Sequence, residues 1–281
     1  MKHLLLILLS LLTFLSDAQS KIQYGNNKAA GKYYQINDIK MYLETYGQGK
    51  PLLLIHGNGG SIEHLKNQIA YFKKTRKVYV ADSRGHGKSS FIEGQVYNYD
   101  LLTKDWAVLL DSLKISNLDV FGWSDGGIIG LLLARDYPQR IAKVYSYGAN
   151  MSPGEDAIEG RVVRGLRKLI ASESPKTPSE KNAFAITKMM MDYPKEDLST
   201  FKKVKIPVMI ATADHDLILL EHSLQIYRNL GNAAFQSFGM ANHFISWEEP
   251  NRLNKEIEMF FNKPFKQANL VPKEYEFLLD K

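Results

Sequence analysis

The stretch that most constrains this chain runs Leu118-Asp-Val-Phe-Gly122-Trp123-Ser124-Asp125-Gly126-Gly127-Ile-Ile-Gly130-Leu-Leu-Leu-Ala134. A β-branched and aromatic segment breaks at G-x-S-x-G and resumes with helical character, so it reads as strand, sharp turn, helix. At such a turn a serine is forced into a strained backbone conformation that lifts its hydroxyl above the sheet edge. The flanking glycines let strand and helix approach closely enough to hold it there. The bare pattern arises by chance about once in ten chains of this size, so its surroundings must decide what it means.

Those surroundings alternate strands with helices. Tyr33–Ile36 and Ile39–Tyr46, joined by Asn37-Asp38, read as an N-terminal hairpin. Leu52–Ile55 is a continuous apolar run of the kind covered on both faces of a parallel sheet, and it leads directly into His56-Gly57-Asn58-Gly59-Gly60-Ser61. A helix is expected over Glu63–Phe72, capped by Ser61, then a strand at Val78–Ala81 and a turn-rich loop Asp82–Ser89. Leu102, Trp106, Leu109, Leu110 and Leu113 recur at helical spacing from Asp100 to Leu113, and Ile141–Tyr147 is the strand after the elbow. From about 149 to 204 the rhythm changes. Ile158, Val162, Val163, Leu166, Leu169 and Ile170 share one helical face, Pro175 and Pro178 break the chain, and Ala183–Met191 forms a second helical patch. This insertion is too short to own a core and reads as a helical lid over the sheet. Strand, helix, strand and helix then follow at Pro207–Thr212, Glu221–Leu230, Ala233–Phe238 and Trp247–Phe261. The expected fold is α/β, a mostly parallel twisted sheet with helices on both faces.

The first residues stand apart. A positive start at Lys2, an apolar run from Leu4 to Leu15 and small residues at Ser16-Asp17-Ala18 have the form of a secretory signal. Residues 1–18 are expected to be removed, leaving 19–281 as one domain, secreted or periplasmic. The run is shorter than the roughly 20 residues that span a bilayer, so no stable membrane insertion is expected after cleavage. The chain has no cysteine, which suits an oxidising compartment and excludes a thiolate metal site. Its net charge of +6 is scattered, with no basic and aromatic alternation, which argues against a nucleic-acid partner. The seven histidines include no H-E-x-x-H or other ligand spacing, so no catalytic metal is expected, and chemistry at a serine nucleophile needs no cofactor. Nothing in the sequence reports on oligomeric state.

A serine hydroxyl needs a base to take its proton, and the base needs a carboxylate to fix its tautomer. In chains built around such an elbow the order is Ser, then Asp or Glu, then His, on loops after later strands. Asp214-His215-Asp216 follows the Pro207 strand and His243 follows the Ala233 strand. Four blocks together, His56-Gly-Asn-Gly-Gly60, Asp82-Ser-Arg-Gly-His-Gly-Lys-Ser89, Gly122-Trp-Ser-Asp-Gly-Gly127 and the Asp216 and His243 loops, resemble the α/β-hydrolase superfamily from the Tyr33 hairpin through Phe261.

That resemblance implies a Ser124–His243–Asp216 triad. It selects Asp216 over Asp214 by the last position of a G-x-x-D loop, although Ala213 stands where the glycine is usual. It also implies an oxyanion site made by the backbone amides of Asn58 and Asp125. In relatives of this kind His56 and His86 brace loops, while His64, His215 and His222 carry no partner pattern. A serine nucleophile sets the chain apart from the epoxide hydrolases and haloalkane dehalogenases of the same fold, which use aspartate. The implied partner is a small-molecule ester or amide that passes through an acyl-enzyme.

Gly122–Ile128 together with Tyr147-Gly-Ala-Asn150 is similar to the valacyclovir hydrolase (biphenyl hydrolase-like) group, which cleaves α-amino-acid esters. By that likeness Asp125, Trp123 and Asn150 are candidate substrate-binding residues, with Asp125 recognising an ammonium group. The alternative is that Asp125 caps the following helix, whose N-terminus favours a negative side chain. Met189-Met190-Met191 is read either as an adaptable acyl pocket or as packing against the sheet. A proline iminopeptidase-like aminopeptidase and a non-catalytic ligand-binding protein remain as alternative functions.

Overall fold

Eight strands form a single sheet in the computed structural model, which describes residues 22–266 and 271–273. They are β1 (Gly31–Ile36), β2 (Ile39–Tyr46), β3 (Lys50–Ile55), β4 (Arg76–Ala81), β5 (Leu118–Trp123), β6 (Ile141–Tyr147), β7 (Val208–His215) and β8 (Ala233–Asn242). The expected signal segment 1–18 and the apolar patch Tyr275–Leu279 lie outside the described residues.

The spatial order is β1-β2-β4-β3-β5-β6-β7-β8. β1 and β2 form the expected hairpin, with Asn37 supplying the positive φ of its tight turn. β2 runs antiparallel to β4, and every pairing from β4 through β8 is parallel. The order reverses at β3, which lies between β4 and β5. That makes the carboxyl ends of β3 and β5 a topological switch point, where loops diverge and leave a crevice. The register pairs Ile55 with Gly122, so the residues after each strand leave the sheet side by side.

Alternate residues of one strand serve different layers, as the pleat requires. Leu53 and Ile55 of β3 pack with Trp106, Leu109 and Leu110, whereas Leu52 and Leu54 join Ile69, Phe72, Leu253 and Ile257. The helices are α1 (Lys66–Phe72), α2 (Tyr99–Ser112), α3 (Asp125–Asp136), α4 (Gly160–Ser172), α5 (Pro178–Asp192), α6 (Leu220–Arg228), the single turn α7 (Ile245–Glu248) and α8 (Pro250–Asn262). Every residue of α3 from Asp125 to Ala134 is buried, which explains why that helix shows no polar face in the sequence.

Three helix starts lie three or more residues from expectation. The helix expected from Glu63 begins as a 3-10 turn, Ile62–Leu65, closed by Ser61 and His64. α8 starts at Pro250 instead of Trp247, because proline lacks the N–H that a helix interior uses and is suited to its first turn. Pro178 likewise opens α5 instead of breaking the chain, behind a capping box in which the Thr177 side chain accepts from Glu180 N and the Glu180 carboxylate accepts from Thr177 N.

The segment between β6 and β7 carries α4, α5 and a 3-10 turn at Leu198–Lys203. On α5, Ile186 and Met189 enter the main core, whereas on α4 only Val163 is fully buried. Met191 packs against the small cluster of Ala157, Ile158, Val163 and Ile218. Among the described residues no helix is long and apolar enough to cross a membrane.

Trp106 is fully enclosed, and its Nε1–H donates to Ser83 Oγ at 3.3 Å beneath the loop after β4. Trp106→Ala is expected to cost about 3–5 kcal/mol of folding free energy by cavity formation. Urea unfolding with an unchanged m-value would register this, and a loss of under about 1 kcal/mol would contradict the packing described.

Candidate active site

β5 ends at Trp123, and Ser124 then adopts φ 57° and ψ −120°, a conformation costly for an L side chain. Its backbone is held on both sides. Ser124 N–H donates to Tyr147 O at 2.8 Å, and Ser124 O accepts from Gly127 N at 2.7 Å and Ile128 N at 3.1 Å. The strand and helix meet without side chains between them, since a Cβ on Gly126 would lie 2.1 Å from Ile55 O. This close approach seats the start of α3 on β3 and leaves the Ser124 side chain at the carboxyl edge of the sheet.

β7 and β8 deliver the other two groups. His243 Nδ1 lies 2.6 Å from Asp216 Oδ1. The Asp216 side chain is fully enclosed and also accepts from Ile218 N at 3.1 Å. The carboxylate claims the proton on Nδ1, which leaves Nε2 as the acceptor. Trp123 Nε1–H donates to His243 O at 2.9 Å and Tyr147 OH donates to Asn242 O at 2.7 Å, so residues adjoining the elbow fix the histidine loop. Gly148, at φ 61°, gives the imidazole room, because a Cβ there would stand 2.7 Å from His243 Cε1. Among the described residues no hydrogen bond joins Ser124 Oγ to His243, an arrangement common before a substrate tightens the site.

Asp214 is not the partner of His243, nor is it a passive turn residue. Its carboxylate accepts from Met240 N at 2.7 Å and Ala241 N at 3.0 Å, which ties β7 to the end of β8. Those two donors hold its pKa below the ordinary value.

Asp125 and Asn58 flank Ser124. Among the described residues neither backbone N–H donates to a protein acceptor, so both remain available at the carboxyl edges of β3 and β5. Among the described residues the Asp125 side chain accepts from no backbone N–H of α3, its donors being two side chains. It is buried, accepting from Asn58 Nδ2 at 2.9 Å on one oxygen and from Tyr99 OH at 2.8 Å on the other. Burial raises its pKa to about 6, against the opposing effect of the Asn58 and Tyr99 hydrogen bonds.

Trp123 is buried and engaged with the His243 loop, and Asn150 Nδ2 donates to Ser152 O at 2.8 Å. His56 and His86 are buried and pushed down by desolvation to about 3 and about 4, so both are neutral. His56 Nε2 accepts from Ser83 N at 3.0 Å, and His86 Nδ1 faces Arg84 O at 2.9 Å. Each braces the loop after β4. Cavities of about 710 and 340 Å³ lie between the Asp216 loop and α4, and between residues 91–97 and α5. Ser124 and His243 line neither of them. Among the described residues no cluster of three or more His, Asp or Glu side chains could hold a metal ion.

Residues 50–172 match the family model of the alpha/beta hydrolase fold. The chain has the α/β-hydrolase fold. In sequence it is similar to 3-oxoadipate enol-lactonase 2 of Acinetobacter baylyi, 38% identical over 109 residues that cover 38% of this chain and 40% of that one. It is also similar to the serine hydrolase BPHL of Mus musculus, 30% identical over 52% of this chain and 51% of that one. The match thus spans about half or less of the length of these curated relatives. The enol-lactonase structure from Burkholderia xenovorans LB400 has the same fold, with a TM-score of 0.69 at 20% identity over 83% of this chain and 100% of that one.

Three contributors to this hydrolase-fold site escaped the sequence reading, namely the Asn58 carboxamide, Tyr99 and Gly148. Only Gly148 carried a local signal, as a glycine directly after a strand. Tyr99 and the Asn58 side chain meet Asp125 through tertiary contact alone.

The raised pKa of Asp125 has a signed consequence for stability. A carboxyl group that holds its proton more tightly when folded contributes stability below its ordinary pKa of 3.8, and that contribution is lost as pH rises through about 6. Asp125→Asn removes the ionisation while keeping the shape. Relative to the variant, the parent protein is expected to lose about 2 kcal/mol between about pH 4 and pH 7.5. Asp82, also raised to about 6 by burial, is present in both proteins and cancels. Paired urea titrations that gave a pH-independent difference would contradict this.

Proposed function

We propose that this chain is a serine hydrolase that cleaves small carboxylic esters, cyclic esters included, through an acyl-enzyme. The observation that carries the reading is the strained Ser124 at the switch point, with the enclosed His243–Asp216 pair held beside it by Trp123, Tyr147 and Gly148.

In this reading Ser124 Oγ attacks the ester carbonyl as His243 Nε2 takes its proton. Asp216 stabilises the imidazolium so formed. The negative charge that develops on the carbonyl oxygen is met by the Asn58 and Asp125 amides, donors that are already in place and need no reorganisation. The imidazolium then protonates the departing alcohol. Water, activated by the same imidazole, resolves the acyl-enzyme to the acid and returns the proton to Ser124. The family-model match over residues 50–172 and the lactonase and serine hydrolase names of the relatives support the ester class.

Because the Asp125 carboxylate is enclosed and engaged on both oxygens, the substrate needs no ammonium group. We also propose that the chain is exported, its N-terminal segment acting as a cleavable signal. A mature chain beginning at Gln19, read by N-terminal sequencing of the exported protein, is the expected result.

A fluorophosphonate probe is expected to label Ser124 in the intact protein and not in Ser124→Ala, and that variant should lose about ten-thousand-fold or more in ester turnover. A folded protein that neither reacts with the probe nor turns over any simple ester, beside a reactive control enzyme, would point to a ligand-binding role.

A further inference from the structure

The loop Gly57-Asn58-Gly59-Gly60 is poorly suited to fixing a peptide by itself. Three of its four residues are glycine, Gly59 sits at φ 61° with nothing near the position of a Cβ, and one backbone bond, Gly60 N–H to Gly57 O at 3.1 Å, closes the turn. Yet the proposed mechanism needs the Asn58 N–H aimed at one point. The side chain supplies the constraint. Both protons of Asn58 Nδ2 are committed, one to Asp125 Oδ2 at 2.9 Å and one to Ile186 O at 3.1 Å.

Ile186 is in mid-helix on α5, so the second bond ties the loop to the segment inserted between β6 and β7. The first ties it to the residue after Ser124. Asp125 is in turn fixed by Tyr99 OH at 2.8 Å, from the first turn of α2. Burial and the neighbouring carboxylate push the Tyr99 pKa far up, so the hydroxyl stays a donor. α5 has a second polar tether in the same region, where Asn182 Nδ2 donates to Gly85 O at 2.8 Å.

We infer that Tyr99, the Asp125 carboxylate and the Asn58 carboxamide form a positioning chain that aims the Asn58 N–H at the oxyanion and makes that aim depend on α5 being docked. The inference rests on the serine hydrolase reading above. None of the three side chains touches the reacting atoms. They act through the Asn58 peptide, whose displacement by as little as about 1 Å weakens transition-state stabilisation without changing substrate binding.

The test compares steady-state hydrolysis of p-nitrophenyl acetate, and of a p-nitrophenyl ester of an α-amino acid, by variants whose folding is verified by thermal unfolding. Asn58→Ala keeps the backbone N–H. It is expected to lower kcat by about 10- to 100-fold on both esters, with KM within about two-fold. Asp125→Ala should do the same, and the double variant should lose no more than either single, as members of one chain do. Asp125→Asn is expected to restore most of the rate, because its amide can accept from Asn58 and donate to the Tyr99 oxygen. Tyr99→Phe, which removes one atom, serves where the alanine variants fold poorly and should give a smaller loss of kcat alone. Asn182→Ala should lower kcat in the parent and have no further effect beside Asn58→Ala.

Unchanged kcat in Asn58→Ala, additive losses, or a loss carried by KM would overturn the positioning chain. A loss in Asp125→Asn confined to the amino-acid ester would overturn it in favour of ammonium recognition. Fluorophosphonate labelling of the parent at Ser124 separates these results from failure of the hydrolase reading. Labelled but insensitive variants reject the chain alone, and an unreactive parent rejects both.

Discussion

Gly126 and Ile55 meet backbone to backbone, and the arrangement of the site depends on that approach. A side chain at 126 would drive the start of α3 away from β3. The amide of Asp125 would move with it, and Ser124 would lose the geometry that its strained φ maintains. Strain of order 1–3 kcal/mol at a residue of this kind persists only when its surroundings over-determine it. Here they do, because Ser124 is bonded to β6 through Tyr147 O and to α3 through Gly127 and Ile128.

The parallel sheet converts this local constraint into a site. Ser124, Asp216 and His243 are far apart in sequence but follow three strands whose carboxyl ends open on one edge. Cross-bracing then fixes their relative positions. Trp123, at the end of β5, donates to His243 O, and Tyr147, at the end of β6, donates to the last residue of β8, while Asp214 ties the end of β8 to β7.

Buried or engaged carboxylates recur wherever a loop must be held. Asp82 accepts from Ile62 N and Lys88 N, joining the β3 and β4 loops. Asp105 receives a two-pronged bond from the enclosed Arg84 guanidinium. Glu44, fully buried, accepts from Gly25 N, Asn27 N, Tyr42 OH and Tyr46 OH and so anchors the N-terminal segment on β2. A carboxylate offers about four acceptor positions, and irregular backbone leaves N–H groups that no ladder can satisfy. Asp125 extends the pattern from loop anchoring to the aim of a neighbouring amide.

The sequence by itself determined the elements whose signals are local. The elbow is written in glycine spacing, the buried strand β3 in an unbroken apolar run, α2 in its helical period, and the order Ser124, Asp216, His243 in the succession of strand ends. Helix starts at Pro178 and Pro250 were read less well, because the same residue that breaks a helix interior is favoured in its first turn. Only the tertiary structure showed which groups the side chain of Asp125 meets. Sequence left it between an ammonium partner and a charge at a helix terminus, and the fold placed Asn58 from one loop and Tyr99 from a helix against its two oxygens. Such an assignment is invisible in one dimension because a hydrogen-bonding group has no periodicity. Its partner is whichever donor the packing of distant segments brings within about 3 Å.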